Sequence, residues 1–145
     1  MNIFQDTYDN RLRSWRDLRT KTKTLPIDQA CVEIDRWWHQ VPLINHHLHW
    51  NDTENWPDPW TLLSENTYCT LTRALGTCYT LLMNGINNIE LVTATDEQCE
   101  EHYLVLVDGA KYTLNWWPDS VLNTSLEQFT ILRRIAISSI QDNIK

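Results

Sequence analysis

Phe4, Tyr8, Leu12, Trp15 and Leu18 recur at three- to four-residue spacing among polar neighbours. This first apolar stripe predicts an amphipathic helix over residues 6–20. Thr20–Thr24 reads as a polar link. Pro26 suits the first turn of a second helix, whose stripe is Ile27, Cys31, Ile34 and Trp38, and Pro42 stops it. Residues 42–60 follow no period. Pro42, Pro57 and Pro59 alternate there with His46, His47, His49, Trp50, Trp56 and Trp60, and a loop of that length is often functional.

The clearest helix spans residues 69–83, with Leu71, Ala74, Leu75, Cys78 and Leu82 on one stripe. Asn66 or Thr67 is its natural N-cap, and Asn84-Gly85 ends it through a left-handed turn. Three strand-like runs follow: Ile89–Thr95, His102–Val107 and Lys111–Trp116. The last two flank Asp108-Gly109, a strong hairpin signal. Thr124-Ser125-Leu126-Glu127 reads as a capping box that opens a last helix reaching about Ile140. Helices, then strands, then a helix give an α+β class, with helices packed on a small antiparallel sheet. Residues 1–24 form an N-terminal helical extension in this reading, and residues 25–145 a single domain.

Composition narrows the function classes. With 145 residues, 42% apolar and 21% charged, the chain is able to build one core. Lys plus Arg is 12 and Asp plus Glu is 19, a net charge of −7, which argues against a uniformly basic nucleic-acid binder. No apolar run approaches a membrane span of about 18 residues. The polar start Met1–Asp6 argues against a secretory signal peptide, so the expected setting is cytoplasmic, or a host cytoplasm or virion for a phage-encoded chain. Residues 1–24 are locally basic, with Arg11, Arg13, Arg16, Arg19, Lys21 and Lys23 against Asp6, Asp9 and Asp17. A solvated helix face and a docking arm for an acidic partner are the two readings, and the first is favoured. Three glycines are too few, and too far apart, for a phosphate-cradling loop. Cys31, Cys69, Cys78 and Cys99 form no C-x-x-C pair, which argues against a thiolate zinc site and for reduced thiols.

One constellation carries chemistry. Cys69 lies at the start of the clearest helix, where unpaired N–H groups and the dipole favour the thiolate. A thiol nucleophile needs a base and a group that orients the base. With a two-residue Asp108-Gly109 turn, Val107 opposes Ala110 and His102 opposes Asn115, so imidazole and carboxamide share one sheet face. Cys69, His102 and Asn115 are the candidate triad. Taken singly, each has a plainer role: a buried thiol, a rim histidine and a strand-end amide.

In order and context these motifs resemble the bacterial transglutaminase-like cysteine proteinases of the papain-like superfold. The resemblance runs through Trp56-Pro57-Asp58-Pro59-Trp60-Thr61-Leu62-Leu63, Cys69 heading a helix, His102–Val107, and Tyr112-Thr113-Leu114-Asn115. It covers about residues 50–117. It implies that Cys69 is the nucleophile, His102 the general base and Asn115 the group orienting the imidazole. The Cys69 backbone N–H would be one oxyanion donor and the indole of Trp56 or Trp60 the second, with Tyr68 beside the thiol narrowing the site. The implied reaction is hydrolysis of a protein or peptide amide through an acyl-enzyme. The sequence departs from the family where Gly-Asp precedes the cysteine and an acid follows it: Thr67-Tyr68 and Thr70 stand there. Acidic residues that bind calcium in some relatives have no counterparts, so neither a metal nor a cofactor is expected. A catalytically inactive member of the fold, serving as an interaction or assembly protein, is the alternative. In overall style the chain also resembles small proteins of tailed phages of marine bacteria.

Other clusters have plainer readings. His39, His46, His47 and His49 lack metal-site spacing and read as surface or packing residues. The tryptophans at 37, 38, 56, 60, 116 and 117 suit core packing or a protein interface. Only Arg36 and Arg73 lie between Lys23 and Lys111, which disfavours stacking on nucleic acid. Asp96, Glu97, Glu100 and Glu101 read as a solvated acidic loop, in which Glu101 raises the His102 pKa if the two lie close. The expected partner is a protein or peptide, as substrate or in an assembly.

Overall fold

The computed structural model describes residues 2–45, 48–135 and 138–144. Its elements run α1 (Tyr8–Thr22), α2 (Ile27–Trp38), α3 (Pro59–Glu65), α4 (Thr70–Met83), β1 (Ile89–Thr95), β2 (Glu101–Val107), β3 (Tyr112–Leu114), β4 (Thr130–Ile135) and a short α5 (Ser138–Gln141). The strands form one antiparallel sheet in the order β3-β2-β1-β4. The α+β class read from the sequence is the one observed.

The helices cover one sheet face. Helix α4 is buried along its whole length, from Leu71 to Leu82, and packs on Leu91, Val105, Val107 and Leu114. A helix enclosed on all sides must satisfy its polar groups internally. Accordingly, Thr77 and Thr80 donate their hydroxyls to the carbonyls of Arg73 and Gly76. Gly76 is required by contact: a Cβ there would lie 2.5 Å from the Trp38 ring. The other sheet face carries a smaller cluster of Val92, Ala94, Leu104, Leu106 and Phe129, with Trp116 and Leu126 against it.

Residues 1–24 are not an appendage. Phe4, Trp15 and Leu18 are buried in the same core as α2 and α4, and the Trp15 indole donates to Thr80 Oγ1 at 2.9 Å. The basic side chains do not all stay in solvent either, because Arg11 is buried and donates to the carbonyl of Leu63.

Three local expectations are corrected. The irregular segment 42–60 ends in α3, capped by Asp58, whose carboxylate accepts from Thr61 N–H, with Pro59 at the first helical position. The expected helix after Thr124 is a single 3-10 turn, Leu126–Gln128, capped by Ser125 and followed by strand β4. The β-branched run around Thr130-Ile131 completes the edge of β1, and its exposed Arg133 and Arg134 suit an edge strand. The β2–β3 connection is a four-residue turn, with Val107 opposite Tyr112 and Val105 opposite Leu114. That shifts the expected register by two residues and takes His102 away from a position opposite Asn115.

Candidate active site

Cys69 occupies the N-cap of α4 in extended backbone, in place of the expected Asn66 or Thr67. Its surroundings are fixed by the preceding segment. Leu43 and Tyr68 form a parallel bridge, and Ile44 N–H donates to Tyr68 O at 2.8 Å. Cys69 is 3% exposed. It borders an open cavity of about 410 Å³ lined also by Ile44, Thr70, Glu101 and Tyr103. The Cys69 backbone N–H, expected as an oxyanion donor, donates to Thr72 Oγ1 at 2.8 Å, and that hydroxyl lies 3.8 Å from Sγ.

Strand alternation decides which β2 side chain meets this cavity. Glu101, Tyr103, Val105 and Val107 share the face toward α4. His102, Leu104 and Leu106 face the opposite cluster. His102 therefore packs edge-on against Trp116, with ring centroids 4.5 Å apart, and its Nε2 lies 2.8 Å from Asp96 Oδ2. That hydrogen bond holds the Asp96 carboxyl below the usual carboxylate range. Tyr103 stands toward Cys69 instead, its ring stacked on Trp50 at 5.9 Å. Burial, with Glu101 and the Cys69 thiol nearby, pushes the phenol above its ordinary pKa. It is neutral at pH 7 and unsuited to take a proton from a thiol.

Asn115 lies on the α4 side. It ends β3 by adopting φ 67°, a left-handed conformation that asparagine tolerates. Its N–H donates to Asp35 Oδ1 at 2.8 Å. Its side-chain amide donates to Thr70 O at 3.1 Å and to Tyr103 O at 2.7 Å. Its Oδ1 accepts from Arg73 Nε. The carboxamide thus ties β3, β2 and the first turn of α4 together with every group engaged. Behind it, Asp35 Oδ2 lies 3.2 Å from His39 Nδ1, and His39 Nε2 lies 3.0 Å from Trp116 O. Burial lowers the Arg73 pKa, and the nearby Asp35 opposes that shift.

The structure therefore brings Cys69 and Asn115 to one side of the sheet and sets His102 on the other. Both His102 and Asn115 do reach a smaller cavity of about 180 Å³ at the sheet end, beside Thr70 and Trp117. The three aromatic residues expected to serve the site are engaged elsewhere. Trp56 donates its indole N–H to His49 O at 2.9 Å. Trp60 packs edge-on against Trp15, and Tyr68 is fully buried with its hydroxyl on Leu62 O. Sequence reasoning missed Tyr103 and Arg73. The signal for Tyr103 was strand parity: two adjacent β2 residues never share a face.

Among the described residues, Asp96, Glu100 and His102 form the group whose ligand atoms converge, all within 4.8 Å. An imidazole among them fits poorly with a calcium ion, which takes oxygen donors. Beside Cys69 itself stand Tyr68 and Thr70, neither of them a carboxylate. His46 and His47, weighed above as metal ligands, lie outside the described residues. No described helix is long and apolar enough to cross a membrane.

No protein-family model and no curated protein sequence matches the chain. Solved structures do. LapG of Legionella pneumophila in its calcium-bound form superposes with a TM-score of 0.73 at 12% identity, covering 90% of this chain and 76% of LapG. A second LapG structure gives 0.73, and an EGTA-treated one gives 0.72, covering 75% and 74% of LapG. The chain has the transglutaminase-like fold. At this identity the likeness concerns the arrangement of helices and strands. This chain reaches that arrangement with Tyr68 and Thr70 flanking Cys69 and Tyr103 on the same cavity.

Proposed function

We propose that this transglutaminase-like domain is a non-catalytic protein-binding module that keeps the cysteine-bearing helix terminus of the fold as architecture. One observation carries the reading: the β2 side chains lining the Cys69 cavity are Glu101 and Tyr103, with no histidine among the described lining residues, while His102 is engaged by Asp96 on the opposite sheet face. Two further observations support it. The Cys69 N–H is already bonded to Thr72, and the Asn115 carboxamide is fully occupied by Arg73, Thr70 and Tyr103. Nucleophilic catalysis by a thiol requires a base within reach, and His102, the histidine expected in that role, does not share the face of Cys69.

The second reading is a cysteine hydrolase with Cys69 as nucleophile. It is favoured by the position of Cys69 at the N-terminus of a 14-residue helix and by the likeness to LapG, a cysteine protease. Alkylation separates the two. In a non-catalytic module Cys69 reacts with iodoacetamide as an ordinary thiol, and Cys69→Ala leaves partner binding unchanged. In a hydrolase Cys69 is hyper-reactive at neutral pH, and the same substitution abolishes amide cleavage.

A further inference from the structure

The sheet face away from Cys69 carries a cavity of about 550 Å³, lined by Glu97, Glu100, His102, Trp116, Trp117 and Gln128 among others. Two features stand out. Trp117 is 66% exposed, a large apolar surface with no packing role to explain it. Its ring stands against Trp116 at 5.8 Å between centroids and 73° between planes, so the two indoles make a corner. Trp116 is itself held from behind by Phe129 and by the edge of His102, which makes that wall rigid.

The opposite rim is the β1–β2 turn. Its conformation is fixed by Asp96, whose Oδ1 accepts from Gln98 N–H at 2.8 Å and from Glu100 N–H at 3.0 Å. Glu97 and Glu100 are exposed on it. No lysine or arginine is among the described lining residues. An aromatic corner in a cavity lined also by carboxylates suits one side-chain chemistry above others. A guanidinium presents a flat face that stacks on indole and five in-plane donors that match carboxylates. An ammonium has the charge and lacks the plane. Anionic and neutral ligands lose the electrostatic attraction.

We propose that this cavity is a docking site for an arginine side chain of a protein partner, with the guanidinium stacked on Trp117 and hydrogen-bonded to Glu97 and Glu100. The proposal names the chemistry of the partner and does not depend on whether Cys69 reacts.

The test uses the ¹⁵N-labelled full chain and three probes: N-acetyl-arginine methylamide, its lysine analogue, and the citrulline analogue, an uncharged near-isostere of arginine. The indole N–H resonances of Trp116 and Trp117 are followed during titration. The expected result is a saturable shift with arginine, at least about tenfold weaker binding of citrulline, and lysine between them. Trp117→Ala removes an exposed ring that the fold does not need, and should weaken arginine binding by about tenfold. Glu97→Gln/Glu100→Gln should weaken it similarly and flatten its dependence on salt. Equal binding of citrulline, unchanged arginine binding by Trp117→Ala, or no saturable shift up to about 20 mM would each overturn the proposal.

Discussion

Tyr103 and Cys69 line the same cavity, Tyr103 from β2 and Cys69 from the N-cap of α4. Tyr103→His therefore places an imidazole on the cavity that Cys69 borders. The expected outcome is an iodoacetamide rate at Cys69 raised by about tenfold at pH 7, since a neighbouring imidazole increases the thiolate fraction. Mass-spectrometric mapping distinguishes Cys69 from the other thiols. Burial pushes the Cys31 thiol up to about 12 and drives Cys78 up as well, so both stay silent. An unchanged Cys69 rate in this variant would show that the cavity does not join the two side chains.

Asn115 holds three elements together from a left-handed backbone conformation, so its loss should register as stability. Asn115→Ala leaves Arg73 Nε and the carbonyls of Thr70 and Tyr103 without their side-chain partner, and puts at φ 67° a residue that tolerates it less well than asparagine. The expected cost is about 3 kcal/mol by urea denaturation. Asn115→Gly relieves the backbone strain but loses the same side-chain bonds, so its cost should be smaller than that of Asn115→Ala and still above zero. A change below about 0.5 kcal/mol in Asn115→Ala would contradict the structural role, because only exposed sites behave that way.

Thr80 serves two tryptophans at once. Its hydroxyl accepts from the Trp15 indole at 2.9 Å and from the Trp38 indole at 3.0 Å, joining α1 and α2 to α4. Thr80→Val keeps the shape and strands two buried donors, which should cost about 2–4 kcal/mol. Gly76→Ala drives a methyl into Trp38 and should cost about 1–3 kcal/mol or more. Thermal unfolding of each variant checks both figures.

His39 gives the fold a pH dependence of known sign. Its Nδ1 faces Asp35 O and Oδ2, and its Nε2 faces Trp116 O, so both nitrogens meet acceptors and both carry protons. Burial opposes the charge, and Asp35 with the two carbonyls outweighs burial, so the folded pKa lies above the usual 6.5. Asp35 is the charged group facing the ring, and Arg73 of α4 stands near Asp35. A raised folded pKa means that the contribution is complete below the unfolded value of about 6.5 and is lost as pH rises through the folded one. Urea midpoints should fall across that interval in the native chain and stay flatter in His39→Gln. Equal slopes would show that His39 is neutral when folded.

Much of the architecture was legible because it rests on short-range periodicity. The stripes on α2 and α4 and the run Ile89–Thr95 give their elements within a few residues. The final strand was not legible, because Thr124–Glu127 satisfies a local cap rule while the run after it answers to the open edge of β1, a partner far along the chain. The Asp58-Pro59 start of α3 was a readable signal hidden among tryptophans and histidines. At the site, helix position located Cys69, whereas the expected hairpin register put Asn115 on the face of His102 and its left-handed backbone and bonds to Arg73 and Thr70 set it on the α4 side. The facing of His102 was the weak link. A two-residue difference in turn length changes who opposes whom, and strand parity sets His102 on the far side from Cys69.

The most direct measurement is the pH–rate profile of Cys69 alkylation in the native chain and in His102→Ala. This account predicts a single rise typical of an ordinary thiol, identical in the two proteins, because His102 and Cys69 face opposite sides of the sheet. A thiolate present well below pH 7 in the native chain, and lost on removing His102, would contradict it.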